Sequence, residues 1–229
     1  MNIRKTLLSA ACAALVPMSA SAILIDGVEV NPGDFLEIGT VWEGEGSSDG
    51  TAPITAQGQE LLGIGVIDTI KDGGGTVTWT SGDNGKYLAF YFEDYITESI
   101  NPQLNGSIDI LFSGGIAKFF TLDSAFVPTG SYAADSATIA AGNFWMDTLG
   151  GSNRDCVAAD GCLNGVGTGV TLESSIVAGD LNNIASGFGN GFLNVTGAGL
   201  ADPNFDTDAL TGGNDLALGS SFNNASSTA

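Results

Sequence analysis

Oxygen-bearing side chains are densest near the C-terminal end of the sequence, where they could hold a metal ion. The stretch ADPNFDTDALTGGNDLALGSSF, residues 201–222, contains four aspartates and no basic residue. If its first part is extended, side chains two positions apart project to the same side. Carboxylate and amide oxygens are the ligands that Ca²⁺ prefers. The predicted calcium ligands are Asp202, Asn204, Asp206, Asp208 and Asp215.

An alternative stays open for this stretch. Its spacing is not that of an EF-hand loop, because Thr207 stands where that loop requires glycine and Gly213 where it requires glutamate. Asp and Asn side chains also cap their own turns in solvated loops. The stretch is therefore either a calcium site or a loop that leads into a last strand, NDLALGSSF.

Catalytic groups are sparse in this sequence. There is no histidine, which excludes Ser-His-Asp and Cys-His arrangements. Acids stand beside aromatic residues in YFEDY (91–95) and WMD (145–147). An enzyme that degrades polysaccharides with a pair of carboxylates would leave no clearer local motif, because its two acids can lie on different strands. The alternative is solvated acids at strand ends above an aromatic core. We predict that the protein is not an enzyme and has no catalytic residues.

Two cysteines lie six positions apart in DCVAADGC. An exported pair at this spacing favours a local disulfide between Cys156 and Cys162. The alternative is half of a zinc site, but the only further cysteine is Cys12, and no histidine is present to complete such a site.

The N-terminal residues are typical of an export signal. Basic residues in MNIRK precede the short apolar run TLLSAACAALVPM and the small-residue site SASA, the order found in secretory signal peptides. The apolar run is too short to span a bilayer. We therefore predict a signal peptide over 1–22, no stable membrane insertion, and a protein that is secreted to the outside or the surface of a bacterium.

The charge balance excludes one class of partner. The chain has 6 basic against 26 acidic residues, and binding to nucleic acid requires clustered Lys and Arg that displace counterions. We predict no nucleic-acid partner. A chain this acidic also repels itself when compact, a repulsion that divalent cations would relieve.

The body of the chain is predicted to form many short strands. The turns that separate them contain some of its 34 glycines. Alternating apolar residues in LLGIGVIDTI, TVTWT and KYLAFYF predict a β-meander, with the last of these as a central strand. A second hairpin is predicted to turn at Gly114-Gly115. The predicted strands cover 23–30, 35–43, 61–70, 76–80, 86–92, 107–112, 116–122, 138–147, 169–177, 190–197 and 214–222.

These patterns predict an all-β fold, an antiparallel β-sandwich of jelly-roll-like form with long Gly/Asn/Asp-rich loops. It would form a single domain over 23–222, with loops across 150–190 lying over the sandwich. The polar tail 223–229 is predicted to be disordered.

Three segments together resemble the secreted PEP-CTERM proteins of bacteria. They are GQELLGIGVID, YLAFYFEDY and FDTDALTGGNDLALGSSF. The resemblance implies an exported protein associated with exopolysaccharide, biofilm and floc formation. The sorting tail of that family, a Pro-Glu-Pro motif with an apolar helix and a basic cluster, does not occur in this sequence.

The first functional hypothesis is therefore a structural protein of the extracellular matrix that associates with itself or with exopolysaccharide. One version is a fibre in which ILIDGVEV, residues 23–30, completes a neighbour's sheet; the alternative is that it pairs within its own chain. Other hypotheses are a polysaccharide-degrading enzyme and a carbohydrate-binding module. Such a module would present aromatic rings from Trp42, Trp79, Trp145 or Tyr95.

Overall fold

The computed structural model describes residues 22–31 and 33–223. The predicted signal peptide, apart from Ala22, and nearly all of the predicted tail therefore lie outside the described residues. The strands are β1 (Ile23–Ile25), β2 (Val28–Val30), β3 (Phe35–Glu45), β4 (Glu60–Lys71), β5 (Val77–Thr80), β6 (Tyr87–Pro102), β7 (Ile108–Leu122), β8 (Asn143–Gly151), β9 (Arg154–Asp155), β10 (Gly169–Val170), β11 (Leu172–Asp180), β12 (Asn183–Val195) and β13 (Leu216–Asn223). The α-helices are α1 (Tyr132–Ala140) and α2 (Asp202–Phe205).

The predicted all-β class is confirmed, and every strand pair is antiparallel. Nine strands of the described chain form one continuous sheet, in which β3, β4, β6, β7 and β8 are successive neighbours. Two further sheets have two strands each, β1–β2 and β9–β10. The jelly-roll topology stays a prediction.

Strands β8 and β11 lie end to end in the gap between β7 and β12. The first part of β7, from Ile108 to Phe112, pairs with β11, and its later part, from Ile116 to Thr121, pairs with β8. β12 pairs with the same two strands on one side and with β13 on the other. In the described residues, β3 and β13 are therefore the two long strands that pair on one side only, and the short β5 likewise pairs only with β4.

The predicted hairpin at Gly114-Gly115 is wrong, because both glycines lie inside the continuous strand β7. A side chain at Gly115 would meet the ring of Tyr95, with its Cβ 2.2 Å from Cε1. Both residues have positive φ, 70° and 92°, which glycine adopts without steric cost. They allow β7 to pass close to β6 without ending, whereas the chain turns between β6 and β7 at 103–107.

Two other predictions need correction. The predicted strand over 138–147 begins inside helix α1, whose N-cap is Ser131, and β8 starts only at Asn143. In the stretch 150–190, predicted to be mostly loop, the predicted strand 169–177 corresponds to β10 and β11, but most of β12 was not predicted as strand; β11 and β12 pair as a hairpin. The glycines of this stretch alternate with larger residues along β12. One face of the strand therefore has no side chains at these positions, but the strand continues.

The centre of the sheet is apolar on both faces, as predicted for KYLAFYF. On one face, Leu88 and Phe90 join the cluster of Trp79, Phe119 and Trp145. On the other face, α1 covers a second cluster; its buried members are Leu62, Ile64, Ala89, Phe120, Tyr132 and Ile139. Burial on both faces explains why β6 shows no alternation of polar and apolar residues.

Residues 23–30 pair with themselves as the hairpin β1–β2 and pack on the core of their own chain. Val28 and Val30 are buried. The Nε1 of Trp145 donates to the carbonyl of Ile25 at 3.2 Å, and Lys86 Nζ lies 3.3 Å from a carboxylate oxygen of Asp26 in the turn. In this structure the segment therefore takes the within-chain alternative.

No helix in the described part of the chain combines the length and the apolar character needed to cross a membrane.

Candidate functional site

Asp202 is a structural residue in the aspartate-rich stretch. Its side chain is fully buried, and its carboxylate accepts hydrogen bonds from the backbone N–H groups of Asp147 (3.1 Å), Gly199 (2.6 Å) and Ala198. These bonds fasten the loop after β12 to strand β8. The predicted extended conformation from Asp202 onward is wrong, because Asp202–Phe205 is a short helix with proline in its first turn.

Three of the five predicted ligands do converge. Asp206, Asp208 and Asp215 each place a carboxylate oxygen within 4.8 Å of the others. Asp202 does not belong to this group, because its carboxylate is bonded to the N–H groups of Asp147, Ala198 and Gly199. Asn204 lies in the same short helix, so the predicted extended spacing does not apply to it. Calcium binding by the three remaining aspartates stays a prediction.

Within this group, the side chain of Asp215 is held in place by hydrogen bonds. One of its oxygens accepts from the N–H groups of Thr207 and Asp208, both at 2.6 Å, and the other accepts from Val195 at 2.8 Å. Burial alone would raise the pKa of Asp215, but these bonds offset it and the pKa lies below its ordinary value. The ionised carboxylate thus holds the 206–208 turn against strand β12, while Asp206 and Asp208 remain exposed.

Cys156 and Cys162 are joined as a disulfide, with their Cα atoms 6.3 Å apart. The loop that they close packs on strand β6. Arg154 reaches over it and pairs with Asp160 and with Glu173 on β11, each at 2.6 Å.

Glu98 anchors this loop from inside the sheet. It is fully buried; its carboxylate accepts from Ser113 Oγ (2.6 Å), Asn164 Nδ2 (2.6 Å) and the backbone N–H of Asn164 (3.0 Å). Burial alone would raise the pKa of Glu98, yet these bonds outweigh it and the pKa is lowered. Sequence patterns did not single out Glu98. A single glutamate within an apolar strand resembles the solvated acids that are common at the ends and edges of strands.

The aromatic residues named for a carbohydrate-binding module are mostly core residues. Trp79, Trp145 and Tyr95 are at most 3% exposed and cannot offer a ring to a sugar. Trp42 is half-buried against the cluster under α1. The three buried positions therefore provide no ring platform.

The acids named for an enzyme include Glu93 on β6 and Asp147 on β8. Glu93 accepts a hydrogen bond from the hydroxyl of buried Tyr132 at 2.7 Å. Asp147 lies opposite Lys118 in the pairing of β7 with β8. Two depressions on the described surface are lined by other residues, and neither includes Glu93 or Asp147.

No family model, curated protein or solved structure matches this chain. The resemblance to the PEP-CTERM proteins stays a prediction.

The two edges of the main sheet differ in a way that bears on assembly. β3 carries three glutamates and two register shifts in its pairing with β4. β13 contains no charged residue and no proline, and all eight of its residues pair with β12 without a shift. Charges and bulges protect an edge strand against pairing with another chain, and a long regular uncharged edge invites it. β3 is therefore a protected edge and β13 an open one.

Proposed function

We propose that this protein is a secreted structural protein of a bacterial extracellular matrix that assembles with copies of itself. The observation that carries the proposal is the open, uncharged edge of β13. The export signal and the resemblance to secreted biofilm proteins support the extracellular setting.

Charge supports β13 as the surface that meets another copy. The chain carries a formal net charge of −20, so most approaches between two copies bring carboxylates together and are repelled. Residues 216–229 contain neither acid nor base. Two copies that meet at this edge gain backbone hydrogen bonds without placing like charges opposite each other.

The occupant that we propose for the edge is β13 of a second copy, antiparallel to the first. A symmetric pair uses the same strand on both sides and closes as a dimer. The sheets of the two copies would then run on as one sheet. Because residues 23–30 are part of their own chain's core, the proposal uses no strand donation.

The experiment compares Gly219→Lys with Thr40→Lys in the chain from residue 23 onward. A Cβ at Gly219 would meet no atom within 4 Å, and Thr40 is exposed on the protected edge β3. The two variants add the same charge to opposite edges. Light scattering coupled to size exclusion, over a range of protein concentrations, gives the mass of each.

The proposal expects the wild-type protein and Thr40→Lys to show the same concentration-dependent dimer. Gly219→Lys should weaken the dimer by about fivefold or more, because like charges opposite each other in a strand pair cost about 1 kcal/mol. A wild-type protein that stays monomeric at all concentrations, or equal effects of the two variants, would contradict self-association through β13.

A further inference from the structure

A shallow groove of about 580 Å³ lies on the sheet, where the β6–β7 turn meets β11 and β12. Its apolar part consists of Leu104, Val177 and Phe188, which are 110%, 51% and 45% exposed. Exposed apolar side chains that stand together, unlike scattered ones, mark binding surfaces. Phe188 lies in the GFGNGF segment of β12 and was not singled out by sequence patterns.

The polar part of the groove is held in place by hydrogen bonds within the chain. Ser175 Oγ donates to Asp109 Oδ1 at 2.5 Å. The N–H and the hydroxyl of Ser107 donate to Asn105 Oδ1 at 3.1 and 2.8 Å. Among the described residues, Asp109 Oδ2 and Asn105 Nδ2 have no hydrogen-bond partner, which leaves one acceptor and one donor for a ligand.

These groups lie along a line that crosses the strands. Asp109 on β7 is the register partner of Ser175 on β11, and Ser175 is the register partner of Phe188 on β12. Adjacent strands are about 4.8 Å apart, so the line from the carboxylate to the ring spans about 10 Å. The groove thus presents an aromatic ring at one end and a carboxylate at the other.

We infer that this groove binds a neutral polysaccharide. A sugar ring has an apolar C–H face that packs on an aromatic side chain, and a rim of hydroxyls that pair with carboxylates and amides. A mainly apolar surface with a few placed polar groups is typical of ligand sites. Among the described residues, Asp109 is the only charged one that lines the groove, and the net charge of −20 disfavours an anionic polymer.

The choice of ligand rests on the proposed matrix role, but the groove does not depend on the β13 edge. The test is therefore made in the wild-type protein and again in Gly219→Lys. Native gels are cast with hydroxyethyl cellulose, dextran or galactomannan as neutral probes, with alginate as an anionic probe, and without polymer. Retardation relative to the polymer-free gel gives the apparent affinity.

We expect at least one neutral polymer to retard the wild-type protein and Gly219→Lys equally, and alginate to retard neither. Phe188→Ala and Asp109→Asn should each reduce the apparent affinity by tenfold or more. Phe35→Ala is the matched control, because Phe35 is 63% exposed but lies on β3; it should behave as wild type. Circular dichroism confirms that each variant is folded.

Three results would overturn the inference. One is the absence of retardation of the wild-type protein by all three neutral polymers. Another is equal retardation of Phe188→Ala and wild type, or an equal loss in Phe35→Ala. The third is a Phe188→Ala variant that loses mass in light scattering without any change in retardation, which would assign the groove to contact between copies. If the neutral polymers retard the protein but no variant forms a dimer, binding at the groove is supported and only self-association through β13 is contradicted.

Discussion

Asp215→Asn should destabilise the protein although it removes only one charge and changes no side-chain volume. The Asp215 carboxylate accepts three backbone N–H bonds while it is 9% exposed. An amide has one acceptor oxygen, which can keep the bonds from Thr207 and Asp208. Its NH₂ group then faces the N–H of Val195, so one buried donor loses its acceptor.

The size of the effect follows from these contacts. A hydrogen bond to a charged group contributes about 1.5–3 kcal/mol, and the two retained bonds weaken because their acceptor is now neutral. We therefore expect Asp215→Asn to lower the free energy of unfolding by about 3 kcal/mol. That is a large share of the roughly 5–15 kcal/mol that stabilises a typical domain.

The assay is urea denaturation followed by tryptophan fluorescence, with a chelator present so that no divalent ion contributes. Asp206→Asn is the matched control, since it removes the same charge from an exposed side chain and should change stability by no more than about 0.5 kcal/mol. An Asp215→Asn variant as stable as Asp206→Asn would refute the account of how this stretch is held.

Three further effects follow from the loop docked on β6. Glu98→Gln should cost about 2–4 kcal/mol in urea denaturation. The amide oxygen can keep the bonds from Ser113 Oγ and Asn164 Nδ2, but the NH₂ group then faces the backbone N–H of Asn164, which loses its acceptor; an unchanged midpoint would contradict the anchoring role. Replacing Cys156 and Cys162 together by serine should cost about 2 kcal/mol, the loop-closure value for a ring this short, and unchanged stability of the double variant would show that the hydrogen bonds and ion pairs hold the loop without the disulfide. Because the folded-state pKa of Glu98 lies below its ordinary value of 4.5, its contribution is complete above that pH and is lost as pH falls through the lowered pKa. Wild-type stability should therefore drop more steeply than that of Glu98→Gln in acid, and parallel pH curves would contradict the assignment.

Local sequence patterns predicted those strands that alternate between apolar and other residues or that form one continuous apolar run. Alternation in LLGIGVIDTI marked β4, and the apolar run of KYLAFYF marked β6 as central, because a strand covered on both faces carries no polar side. The spacing of Cys156 and Cys162 was also sufficient, since six positions allow a local loop to close.

The features that were predicted wrongly depend on contacts between residues that are far apart in the sequence. Gly114-Gly115 has the composition of a turn, and only strand β6 beside it shows why glycines are needed inside β7: a Cβ at Gly115 would meet the ring of Tyr95, and one at Gly114 the carbonyl oxygen of Asp94. Asp202 has the composition of a ligand, but the N–H groups that occupy it come from β8 and from the loop before α2. Neither relation leaves a mark in the local sequence.

The candidate surfaces were also invisible in short windows. Phe188 becomes part of a groove only when β11 and the β6–β7 turn lie beside it. The open character of β13 is visible as an uncharged stretch, but the sequence does not reveal that it lies at an edge. Edge position is a property of sheet order, which depends on how β8 and β11 share the gap between β7 and β12.

The most direct test of self-association is a scan of single cysteines along β13. In a symmetric antiparallel pair, one residue of the strand faces its own copy at about 4.5–5.5 Å between Cα atoms, a distance that a disulfide can bridge. Cysteine is placed singly at Ala217, Leu218, Gly219 and Ser220, with Thr40→Cys as the control on β3, in the chain from residue 23 onward. Its own two cysteines are already paired.

Mild oxidation followed by non-reducing electrophoresis then gives the fraction of covalent dimer at each position. The account predicts efficient dimer formation at one of the four positions on β13 and little at Thr40→Cys. Equal, weak cross-linking at all five positions would contradict pairing through this edge.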